Sequence, residues 1–165
     1  PDMDQETYDA YIAFVNYYIH QVNFMRYMLG EPYRATFVDP SRVVLNVTSA
    51  SGVAGVIEMS PYSNSIDWQE QVLVCFEKGW VQIDLPAPLA SNRPGRVTIM
   101  RDPRDGSTPT TLTPTLPWVH AMRQQAINFV AAVRGEMAPL CTAAEALEDL
   151  QVAKQYLDLA RAVAV

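Results

Sequence analysis

A chain of 165 residues, 49% apolar and 18% charged, carries enough apolar surface for a folded core and too little charge for a disordered tail. Its net charge of −6 and pI near 4.8 exclude a general nucleic-acid binder, which would be basic, and no apolar run is long enough to cross a membrane. Two cysteines, Cys75 and Cys141, supply neither a disulfide framework nor a paired metal spacing; they read as inert fillers in a reduced, cytoplasmic protein. The length suits one domain, residues 1–165, and a start at Pro1 rather than Met fits a piece of a longer protein.

The first 29 residues predict a helix. Tyr11, Val15, Tyr18, Val22, Met25 and Leu29 recur at spacings of three and four, and Gly30 with Pro32 marks the stop, with a break conceivable between Ala10 and Phe14. Six extended segments follow: Tyr33 to Val38, Arg42 to Ser49, Val53 to Ser60, Trp68 to Glu77, Trp80 to Leu85 and Arg96 to Arg101. Lys78-Gly79 is a hairpin turn, and short links favour antiparallel pairing. Residues 103–117, with four prolines and five threonines, predict a loop.

Pro117 suits the first turn of a helix running from Trp118 to Arg134, with Val119, Met122, Ala126, Phe129 and Val133 as its inner face and Gly135 as its cap. Thr142 and Glu145 form a capping box for a last helix to about Ala162, whose inward residues would be Leu147, Leu150, Ala153, Leu157 and Ala160. Strands kept apart from helices give an α+β fold. The expected form is one largely antiparallel sheet of about six strands, covered on one face by the N-terminal helix and the two C-terminal helices. Apolar residues on both sides of the strands, Val72 and Val74 against Leu73 and Cys75, leave a second face for a homo-oligomer.

Chemistry concentrates on the first helix. At about 100° per residue, with Asn16 at zero, His20 falls near 40°, Asn23 near −20° and Tyr27 near 20°, opposite the apolar stripe. The four make one polar ridge, and Asn16 and His20 stand one turn apart, close enough to grip a small ligand together. Histidine is the side chain best suited to proton transfer near neutrality. A solvated polar face is the plain alternative. His120, in the first turn of its helix with no carboxylate nearby in sequence, is the weaker candidate.

The run from Asn16 through His20, Asn23 and Arg26 to Gly30-Glu31-Pro32 resembles a signature of the Gfo/Idh/MocA oxidoreductases, D-x-x-x-H-x-x-D-x-x-R-x-x-L-G-E-P, which opens their C-terminal α/β domain. Gly79-Trp-Val-Gln-Ile-Asp84, Phe129 to Glu136 and the closing helix from Thr142 are similar to later parts of that domain, in the same order. The resemblance implies a parent enzyme using NAD or NADP on a sugar, cyclitol or related hydroxyl compound. In such a parent an N-terminal Rossmann domain binds the cofactor, and this domain supplies substrate contacts and an oligomer interface. This chain has no G-x-G-x-x-G, so no cofactor residues are assigned in it, and Glu77-Lys78-Gly79 does not match the family's catalytic E-K-P motif.

The resemblance makes His20 the catalytic base and places Asn16 and Asn23 at substrate-contacting positions; the ridge geometry adds Tyr27 to the expected substrate contacts, and no metal ligands are assigned. Arg26 matches a structural arginine. Asn16 and Asn23 stand where the family has aspartates, and an amide is no general base. A non-catalytic ligand-binding or assembly domain of the same fold is therefore the alternative, and a free-standing ligand-binding protein a third reading.

Overall fold

A computed structural model describes residues 3–59, 65 and 68–163. The chain divides into two compact units, Pro1–Tyr62 with Leu140–Val165, and Ser63–Pro139. Each is taken by itself.

The first unit opens with α1, one unbroken helix from Gln5 to Leu29. Asp4 caps it, its carboxylate accepting from the Thr7 amide at 2.8 Å, and Gly30 ends it at φ 69°, donating its N–H to the Arg26 carbonyl. No proline or glycine lies between these caps, so nothing breaks the helix between Ala10 and Phe14. The meander β1 (Tyr33–Val38), β2 (Val44–Ser49) and β3 (Ala54–Glu58) follows, antiparallel throughout. The β1–β2 turn is braced by Asp39, which accepts from Ser41 and from the Val43 and Val44 amides at 2.8 and 2.7 Å. These bonds, that of Ser41 first, hold the Asp39 carboxyl below its ordinary range. β2 alternates strictly, with Leu45, Val47 and Ser49 buried.

The last helix, α3 (Ala143–Ala162), carries the predicted capping box: Thr142 donates its amide to Glu145 and accepts the Glu145 amide on its hydroxyl. α1 and α3 pack on each other, α3 on β1 and α1 on β3, and close a core of Phe14, Val22, Val38, Leu45, Ile57 and Val152 with their neighbours. Phe14 stacks on Tyr156 with ring centroids 4.4 Å apart. A Cβ at Gly55 in β3 would stand 2.9 Å from both Met25 Sδ and Val47 Cγ2, so a larger residue there would force these neighbours to shift.

The second unit holds β4 (Glu70–Phe76), β5 (Gly79–Leu85), β6 (Arg96–Arg101) and β7 (Thr110–Leu112), an antiparallel meander in chain order, and then α2 (Ala121–Val133). Gly79 already opens β5, so the hairpin loop is Glu77-Lys78; a Cβ at Gly79 would fall 2.0 Å from the Met100 carbonyl oxygen. β7 lies inside the predicted loop, where β-branched Thr110 and Thr111 add a short edge to β6.

The α+β class and its order of elements hold, with three corrections. Among the described residues there are seven strands in two sheets, of three and four strands, rather than one sheet of about six. Short turns pair each strand with its sequence neighbour, but the link from Glu58 to Glu70 is long, and β3 and β4 do not pair. Ser60, the expected end of the third strand, lies outside the described residues.

The second correction concerns α2, which buries none of its residues: Phe129 is 70% and Val133 72% exposed, and Val119 and Met122 are exposed as well. The helix also starts later than Trp118, at Ala121, with His120 as cap, so Pro117 is not in its first turn. The third is a rotation of α3. Leu147 is 57% exposed and Leu150 half-buried, while Asp149 and Val152 join Ala153, Leu157 and Ala160 on the buried face. No helix among the described residues is long and apolar enough to cross a membrane.

Candidate functional site

The roll of α1 about its axis decides what faces solvent. Thr7, Phe14, Val22 and Arg26 are its buried residues, and Tyr11, Val15, Tyr18 and Met25 pack beside them. The opposite side is therefore open. Asn16 and His20 are exposed one turn apart, and Tyr27 is 56% exposed two turns beyond His20. The side chains of Asn16, His20 and Tyr27 have no protein partner among the described residues. Tyr17, on the flank of the same face, is 73% exposed. The one cation of α1 besides His20, Arg26, points the other way.

Asn23 does not share that freedom. It is half-buried, and its Nδ2 donates to Asp149 Oδ2 at 2.7 Å and to Cys141 Sγ at 3.2 Å. Arg26 lies beside it and grips the same carboxylate twice, Nε to Oδ1 at 2.9 Å and Nη2 to Oδ2 at 3.0 Å, while Nη1 reaches Glu145 Oε1 at 3.1 Å. Side-chain exposure of Arg26 and Asp149 is 8% and 3%, so the charges are out of water. The Asp149 carboxylate raises the Arg26 guanidinium's already high affinity for its proton. Burial raises the Tyr33 phenol, whose hydroxyl donates to the Val22 carbonyl at 2.8 Å. A bidentate arginine with an amide on the same oxygen is a clamp: it leaves α1 little freedom to rotate against α3.

The expected site thus separates into two groups. Asn16, His20 and Tyr27 remain a solvent-facing ridge, and Asn23 belongs to the clamp behind it. Arg26 is structural, as read from the sequence. Asp149, Cys141 and the second role of Glu145 were missed. The signal for Asp149 was present: it stands four residues before Ala153 and eight before Leu157, an acid on the buried stripe of α3, which calls for a buried cation. Cys141 is half-buried at the clamp, and Cys75 is exposed on β4, so Cys75 fills no core. His120 caps α2, its Nδ1 accepting from the Arg123 amide at 3.4 Å.

Among the described residues no cluster of His, Cys, Asp and Glu is arranged to hold a metal ion. Both sheets are antiparallel, so the described residues contain no parallel strand–glycine turn–helix crossover. The chain matches no model of a known protein family, and no curated protein matches it.

Proposed function

We propose that this chain is the substrate-contacting and assembly part of an NAD(P)-dependent oxidoreductase of the Gfo/Idh/MocA kind, acting in the cytoplasm on a sugar, cyclitol or related hydroxyl compound. The observation that carries the reading is the open Asn16–His20–Tyr27 ridge, turned to solvent by a buried clamp on the opposite side of the same helix. His20 accepts the hydroxyl proton there, and Asn16, one turn away, donates or accepts a hydrogen bond to the same ligand. The cofactor belongs to a Rossmann domain upstream of Pro1. The apolar face of the second unit's sheet supplies the homo-oligomer interface.

The test is reduction of NAD+ or NADP+ by the polypeptide carrying this chain and its upstream sequence, against a panel of sugars and cyclitols. Turnover that falls roughly 10²-fold or more in His20→Ala supports the reading.

A second reading, a non-catalytic domain for ligand binding or assembly, is favoured by one specific observation. Positions 16 and 23 carry amides, and Asn23 donates to Asp149, so neither supplies a carboxylate to orient His20. Binding of a polyol with no cofactor reduction across the whole panel would select it.

A further inference from the structure

We draw no further inference here: the strongest candidate, the exposed apolar face of α2 with its groove of about 420 Å³ along Ile127 and Val130 between Arg123 and Arg134, carries none, because nothing in the structure shows what covers it.

Discussion

The two units use similar alphabets to opposite effect. The first buries Leu45, Val47, Val22 and Val152 almost completely, whereas no described residue of the second is buried at all. Yet the register of the second unit's sheet stacks Val72, Ile83 and Val97 in one row and Val74, Val81, Ile99 and Leu112 in the next, on one face. The difference is not in how apolar the elements are. In the first unit two amphipathic helices and one sheet face converge on a common centre. In the second, a sheet and a helix each show an apolar face and neither becomes a core. Periodicity records that a face exists; it does not record what meets it.

The largest expected effect lies at the clamp. Asp149→Ala leaves the Arg26 guanidinium buried with Glu145 at its edge and the Cys141 sulfur 3.4 Å from Nη2, and breaking a buried pair in this way costs about 3–5 kcal/mol. Urea unfolding followed by circular dichroism should show it. A loss below about 1 kcal/mol would mean that the clamp is wet in solution and does not hold α1.

Core truncation sharpens the contrast directly. Leu45→Ala should cost about 2–5 kcal/mol, since a fully buried leucine leaves a cavity. Phe129→Ala, at an exposed site, should change stability by no more than about 0.5 kcal/mol in dilute protein. Sedimentation at micromolar concentration should show a dimer or larger, as expected if the sheet of the second unit buries roughly 800 Å² per partner. A monomer throughout that range, with Phe129→Ala silent, would remove the assembly role; a Phe129→Ala cost matching that of Leu45→Ala would show α2 packed in solution.

These contrasts also show what the sequence could and could not reveal. β1 and β6 begin and end where alternation and turn residues put them, and the Thr142 capping box is present, because hairpins and caps are decided by neighbours in the chain. The division into two sheets was hidden, since it turns on whether β3 and β4 meet across a long link. The ridge was half legible. A helical wheel places Asn16, His20 and Tyr27 correctly with respect to the core, but it also admits Asn23, whose fate depends on Asp149, 126 residues away in sequence.

Asn23 therefore offers a sharper test within the first unit. Asn23→Asp replaces a donor by a second carboxylate facing Asp149, at a cost on the order of 1–3 kcal/mol near neutrality. Because the two carboxyls repel, the first proton should bind more readily in the folded variant than in its unfolded chain. The deficit should then shrink as pH falls toward about 5, read by unfolding at several pH values. An unchanged deficit would show that the amide's loss of Cys141, not charge, sets the cost.

A smaller effect concerns acid. Glu145 is held below its ordinary range chiefly by the Thr142 amide, and Glu31 by Ser49 and then Ser51. For carboxyls lowered on folding, the stabilisation is complete above their unfolded values, about 4, and is lost as pH falls through the lower folded values. Stability should thus decline below about pH 4.5. Thr142→Ala should cost about 1 kcal/mol at neutrality, because the Glu145 amide loses its cap, but should leave most of that decline in place, because the amide of residue 142 still donates to the Glu145 carboxylate.

The smallest change in stability is expected at the residue on which the functional reading rests. His20 is exposed, has no protein partner among the described residues, and stands opposite the buried arc of α1, so His20→Ala should shift stability by no more than about 0.5 kcal/mol. On the proposed reading, its effect on turnover by the polypeptide carrying this chain and its upstream sequence should instead be roughly 10²-fold or more, as for loss of a general base. Asn16→Asp separates a base from a bystander. It is equally free of the core, so it should leave stability alone, but its carboxylate would stand one turn from His20 and strengthen the imidazole's hold on a proton. The rising limb of the pH–rate profile should move upward in that variant while the unfolding curve stays in place. If His20→Ala unfolds the first unit, or if Asn16→Asp leaves the profile where it was, the ridge is a solvated helix face and the contrast between clamp and ridge carries no chemistry.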